Sequence, residues 1–175
     1  RFKNMYADKG LSYDDFDIEF SKTPPPINDD RVNFIIRILS EKKYERIVEI
    51  GAYDLIRPFH YKRLFPEIEI VALDKISGFD PGGVEDGIQY GPFNPDWFAN
   101  KKGPKTLVIA CGTLSYFKPK DLRDFFDILF DNEYDLALTE LGSQFAKSSS
   151  LRRSYISYYH PYAHMLNEVG FTLSG

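Results

Sequence analysis

The chain has 175 residues, of which 43% are hydrophobic, enough for one domain with a real core and too apolar for a disordered chain. The net charge is −4, with the basic residues scattered in small groups, which argues against a protein that tracks phosphate backbones, so a nucleic-acid partner is not expected. No run approaches the ~18 apolar residues that a membrane span needs. A single cysteine, Cys111, excludes a disulfide framework and suits a reducing compartment, so the expected location is intracellular, in the cytoplasm. The sequence starts at Arg1 rather than Met and shows no signal-peptide pattern. It reads as a fragment, with the question of an upstream targeting segment left open.

Residues 1–27 form an acidic, aromatic lead-in (Asp14, Asp15, Phe16, Asp17, Glu19, Phe20) that ends at Pro24, Pro25 and Pro26. Prolines stop a helix and favour extended chain, so this segment is expected to drape over the domain or cover a site. The domain proper is expected over 28–175. A helix is predicted over Asn28–Glu41, with Asn28 as its cap and Val32, Ile35, Ile36 and Leu39 on one face.

Alternation then begins. Arg46–Ile50 reads as a strand, Arg57–Phe65 as a helix and Glu69–Leu73 as a second strand. Gly82–Gly91 is rich in turn residues, with Ile88–Tyr90 a candidate short strand. Thr106–Ala110 reads as a buried strand, Lys120–Phe130 as an amphipathic helix and Asp135–Thr139 as a further strand. Ser148–Tyr159 and Pro161–Val169 are predicted to be helical, with Gly170 as a C-terminal cap and Phe171–Leu173 starting a last strand. Strands separated by helices predict an α/β fold: a Rossmann-like, doubly wound, mostly parallel sheet with helices on both faces.

In such a sheet, ligands sit beyond the carboxyl ends of the strands, where the strand order reverses. That rule nominates Gly51–Asp54, Asp74–Lys75, Gly91–Phe93, Cys111–Tyr116 and Glu140–Gly142. Asp74 follows Gly51 at the spacing of a nucleotide-binding β-α-β unit and is suited to accept hydrogen bonds from a ribose diol. A carboxylate that merely caps the following loop would look the same. Gly51 lets the backbone turn sharply, but Tyr53 and Leu55 stand where further glycines would complete a phosphate loop. NAD and FAD are therefore disfavoured.

Arg46–Asp54, Val71–Lys75, Thr106–Leu114, Asp135–Leu141 and the segment Leu166–Phe171 occur in an order that resembles class I S-adenosylmethionine-dependent methyltransferases. The resemblance covers residues 28–175. It implies a bound S-adenosylmethionine, with Glu49, Gly51, Ala52 and Tyr53 near its methionine part. It further implies Asp74 and Lys75 at the ribose, Phe93 near the adenine, and Cys111, Gly112 and Thr113 lining the cofactor. The acceptor side would include Tyr116. The chain has one glycine where that family has two or three at alternate positions. It also carries Arg57 beside the loop and ends before the family's antiparallel seventh strand.

Candidate acids and bases are few. Glu140 follows a buried strand at the ligand edge, placed either to meet an acceptor or to pair with Arg152 or Arg153. His160 and His164 are spaced to share a helix face, but Pro161 disturbs that geometry and no carboxylate completes a metal set, so no metal is expected. Either histidine is a candidate base, with a packing role weighed above it. Cys111 reads better as a small buried residue than as a nucleophile. Tyr155, Tyr158, Tyr159 and Tyr162 recur at helical spacing and suggest core packing or a homo-oligomer interface. Two functions are expected. One is methyl transfer to a small-molecule or protein acceptor. The alternative is a catalytically inactive scaffold that holds a protein partner.

Overall fold

The computed structural model describes residues 30–53, 55–75, 77–99, 103–140, 148–154 and 157–174. The lead-in and the Asn28 cap lie outside the described residues. Helix α1 spans Asp30–Glu41 and buries Val32, Ile35 and Leu39, the face expected from their spacing. Strand β1 is Arg46–Ile50, α2 is Ile56–Leu64 and β2 is Glu69–Asp74. Then come β3 (Gly83–Glu85), β4 (Ile88–Pro92) and the short α3 (Asp96–Ala99). Strand β5 (Thr106–Cys111), α4 (Pro119–Asp131) and β6 (Asp135–Thr139) follow. The chain closes with β7 (Leu151–Arg152), β8 (Tyr158–Tyr159) and α5 (Tyr162–Val169).

The sheet order is β3-β4-β2-β1-β5-β6. All neighbours run parallel except β3, which returns antiparallel to β4 with Val84 opposite Gln89. The chain winds outward from β1 through β2 to β4, then restarts at β5 on the other side of β1. The crevice between β1 and β5, registered Ile50 to Ala110, is the point where the strand order reverses.

Alternation along the strands divides the core. Ile47, Ile70, Ala72, Leu107, Ile109 and Cys111 face α1 and α2. Val48, Ile50, Val71, Leu73, Val108 and Ala110 face α4 and α5, where Phe98, Phe125 and Phe126 are also buried. Strands covered on both faces need apolar residues at every position, and β5 is buried from end to end. The doubly wound, mostly parallel architecture is the one expected.

Three local expectations are corrected. Residues 83–85 form β3, a strand that turn-rich composition hid; Asp86 and Gly87, both at positive φ, build its tight turn into β4. The helix expected over 148–159 is a two-stranded antiparallel hairpin, β7–β8, pairing Leu151 with Tyr159 and Arg152 with Tyr158. Its tyrosines at helical spacing misled because β-branched and aromatic residues serve a pleated ribbon equally well. The strand expected from Phe171 does not form. Gly170, at φ 116°, ends α5 by donating to Leu166 O, and Phe171 instead packs its ring on Phe130, centroids 5.4 Å apart.

Candidate functional site

Two loops meet at the crevice. In the loop after β1, Gly51, Tyr53 and Leu55 all have left-handed backbones, with φ of 75°, 51° and 59°. These are the alternate positions where a glycine-rich loop would carry its glycines, so the loop shape is present although two of its residues have side chains. A left-handed residue with a Cβ costs roughly 1–2 kcal/mol. Leu55 offsets this by complete burial, while Tyr53 remains exposed. Gly51 N also donates to Leu73 O at 2.7 Å, and Tyr53 N donates to Asp74 Oδ2 at 2.9 Å, which ties the loop to the end of β2.

Beneath this loop lies a buried ion pair. Glu49 points to the α1/α2 side of the sheet and is 0% exposed, a carboxylate inside an apolar layer. Arg57, from the first turn of α2, meets it through Nε and also donates Nη2 to Gly51 O at 3.2 Å. Burial opposes the charge on Arg57, but the Glu49 carboxylate outweighs it and keeps the guanidinium firmly protonated. Arg57, absent from the expected site residues, is thus the cation that makes Glu49 tolerable. The signal in the sequence was the unexplained charge of Glu49 within an apolar strand. Cys111 shares this layer. Its thiol is buried, and burial followed by the nearby Glu49 charge raises its pKa, so it is a protonated core residue rather than a nucleophile at the edge.

The loop after β5 is built differently. Gly112 is left-handed at φ 72°, and a Cβ there would meet nothing within 4 Å. Thr113 packs its side chain directly over Gly51, so a Cβ on Gly51 would overlap it. The 114–116 turn is held by Glu140, whose Oε1 accepts from Thr113 N and Leu114 N, each at 2.8 Å. Burial pushes the Glu140 carboxyl up to about 7 against the pull of these amides. Its carboxylate in turn adds to burial in raising the pKa of the Tyr162 phenol from α5. Glu140 is thus committed to these amides and organises the loop. Tyr116 lies exposed at the loop's far end.

The remaining candidates separate. Phe93, just after β4, donates its N–H to Asp74 O at 2.8 Å and packs edge-on to Phe117 at 5.4 Å. Lys75 lies with Nζ 5.9 Å from the Phe93 ring and 5.5 Å from that of Phe117. Ala52 is buried beside Leu55. His160 is fully buried with both nitrogens committed: Nε2 donates to Phe117 O at 3.2 Å, which leaves Nδ1 to accept from Ser150 Oγ at 2.7 Å. Burial lowers its pKa and outweighs the Phe117 carbonyl, so it is a neutral structural pin. His164 sits on the exposed side of α5, 3.5 Å from Glu168. The two histidines do not form a joint base, and among the described residues no group of three or more His, Cys, Asp or Glu is placed to hold a metal.

The fold has known counterparts. PigF, solved with SAH, superposes with a TM-score of 0.52 at 11% identity, over 79% of this chain and 49% of that one. The methyltransferase domain of bacterial CtHen1-CN gives a TM-score of 0.52 at 10% identity, over 84% of this chain and 88% of that one. The chain has the class I methyltransferase fold. It spans about half the length of the PigF chain. No protein-family model and no curated protein sequence matches it. Among the described residues, no helix is long and apolar enough to cross a membrane.

Proposed function

We propose that this methyltransferase-fold domain binds S-adenosylmethionine at the carboxyl edge of β1, β2 and β5 and transfers its methyl group to a small-molecule or protein acceptor. The observation that carries this reading is the left-handed backbone at 51, 53 and 55, maintained at a conformational cost beside Asp74. A loop that served only to join β1 to α2 would gain nothing from that strain. The residues fit the cofactor best at its nucleoside half. Asp74 would accept from the ribose, Phe93 and Lys75 would flank the base, and Gly112 opens onto space that a ligand can fill. Gly51, Ala52, Tyr53 and Thr113 would border the methionine half, with Glu49 and Arg57 bracing the loop from below.

The cofactor, when bound, supplies a methyl carbon on a sulfonium that an acceptor nucleophile attacks as the carbon–sulfur bond breaks. The protein's part is alignment, since a displacement of this kind gains most from held geometry. Glu140 is a positioning residue in this reading: it sets the 112–116 loop against the crevice.

A second reading is favoured by one observation. Thr113 lies over Gly51, and Tyr53 occupies a glycine position, which narrows the methionine half. An inactive domain that presents this edge to a protein partner would have no need of that space. Calorimetric titration of S-adenosylhomocysteine separates the two. Saturable binding that is lost in Asp74→Ala supports the transferase; absence of binding by the folded protein leaves the scaffold.

A further inference from the structure

The loops after β1 and β5 touch through one side chain. Gly51 is the first residue beyond β1, and a Cβ built on it would overlap Thr113 Oγ1 and lie 2.7 Å from Thr113 Cγ2 and 2.8 Å from Thr113 Cβ. Both branches of the threonine therefore lie on the bare α-carbon of Gly51. The strand order reverses between β1 and β5, so this contact closes the gap that a ligand at the switch point would enter.

Neither backbone is placed to withdraw. Gly51 N donates to Leu73 O at 2.7 Å, and Gly51 O accepts from Arg57 Nη2 at 3.2 Å. On the facing side, Gly112 N donates to Thr139 O at 3.2 Å. Thr113 N donates to Glu140 Oε1 at 2.8 Å, and Thr113 O accepts from Tyr116 N at 3.1 Å. Leu114, the next residue, is fully buried in the layer that holds Phe125. What can move is the Thr113 side chain, a rotor with three staggered wells about χ1. Any change of well takes one of its two branches off Gly51. There is room beside it, since a Cβ on Gly112 would meet nothing within 4 Å.

We propose that Thr113 is the selectivity residue of this site: it plugs the methionine half and has to turn off Gly51 before S-adenosylmethionine seats, whereas a bare nucleoside enters the other half without that step. The proposal rests on the cofactor reading above and adds which ligands the resting site prefers. That preference is for an adenosine-type ligand with no amino-acid chain on its 5′ carbon. The complete cofactor binds only the molecules in which Thr113 has turned away, and its apparent affinity is reduced by that fraction.

The test is calorimetric titration of adenosine and, separately, S-adenosylhomocysteine into the wild-type chain, Thr113→Ala and Thr113→Val. The quantity read is the ratio of the two affinities within each protein. A turned-away population of about 10% predicts that Thr113→Ala, which lacks both branches, shifts the ratio roughly tenfold toward S-adenosylhomocysteine. Thr113→Val restores a branched plug without the hydroxyl and is expected to return the ratio to the wild-type value. In methyl-labelled wild-type protein, the three-bond couplings of Thr113 Cγ2 report χ1. They are expected to change on saturation with S-adenosylhomocysteine and to hold with adenosine. An unchanged or reversed ratio in Thr113→Ala, a valine variant that behaves as the alanine one, an unchanged χ1 in the saturated complex, or wild-type binding of S-adenosylhomocysteine but not adenosine would each overturn the proposal. All four leave the cofactor reading standing. If neither ligand binds the wild-type chain or Thr113→Ala, the cofactor reading falls and the proposal falls with it. Binding of S-adenosylhomocysteine gained only in Thr113→Ala upholds both.

Discussion

The loops after β1 and β5 face each other across one crevice and are stabilised by opposite means. The β1 loop stands on a buried ion pair, Glu49 with Arg57, and on left-handed residues that carry side chains. The β5 loop hangs from one carboxylate, Glu140, that is close to titration at neutral pH. The first is fixed across the physiological range because its cation stays charged. The second has a pH-dependent support. One edge therefore combines a rigid wall and an adjustable one, and the difference comes from which charges found partners in the apolar layer.

The contrast breaks most visibly at Glu49. Glu49→Ala strands a largely buried guanidinium, and a loss of about 3–5 kcal/mol is expected in urea unfolding. The paired change Glu49→Leu with Arg57→Met should recover most of that loss, because two apolar groups need no partner. If the double variant is no better than the single one, the pair holds the loop by geometry rather than by mutual charge compensation.

Glycine substitutions compare the two loops directly. Gly51→Ala meets both a left-handed φ and the Thr113 side chain, whereas Gly112→Ala meets only the φ. The expected costs are roughly 2–4 kcal/mol for the first and about 1–2 for the second, by thermal or chemical denaturation. Equal costs would mean that Thr113 moves aside freely.

Glu140 should leave its mark on the pH profile. Its folded carboxyl lies near 7, above the ordinary 4.5, so the folded state binds the proton more tightly. Its contribution to stability is then full below pH 4.5 and is lost as pH rises through 7; the loss is on the order of 2–3 kcal/mol. Glu140→Gln should flatten that fall between pH 4.5 and 7. An unchanged slope would assign the titration to another group.

Smaller effects sharpen the account of Tyr53 and His164. Tyr53→Gly relieves the left-handed strain and should raise stability by about 0.5–1 kcal/mol, while widening the methionine half for S-adenosylhomocysteine. A drop in stability would show that the exposed ring makes contacts that outweigh its backbone strain. His164→Gln should change neither stability nor cofactor binding measurably, because the side chain is exposed and its pair with Glu168, at 3.5 Å, lies on the surface.

Apart from β3 and the short α3, the strand and helix alternation from Arg46 to Thr139, the parallel sheet and the placement of Gly51, Asp74 and Gly112 at strand ends are legible from periodicity, since every strand buried on both faces must read as an apolar run. The resemblance of the ordered segments to class I methyltransferases pointed to the same fold. Local pattern did not reveal partners brought from afar. In the sequence Arg57 reads as bulk and positive charge beside the loop, not as the counter-charge of Glu49, and Glu140 reads as an acceptor contact or a partner of Arg152 or Arg153, not as the clasp of the 113–114 amides. The hairpin escapes local pattern for a related reason: a two-residue ribbon has no period of its own, and the contact of His160 with Phe117 O beside it joins residues distant in the chain. The layered α/β order follows from the order of apolar and polar residues alone, because burial is written into that order residue by residue. Which buried charges are neutralised and which histidine serves as a pin is settled in three dimensions, because those outcomes depend on residues far apart in the chain meeting at hydrogen-bond distance.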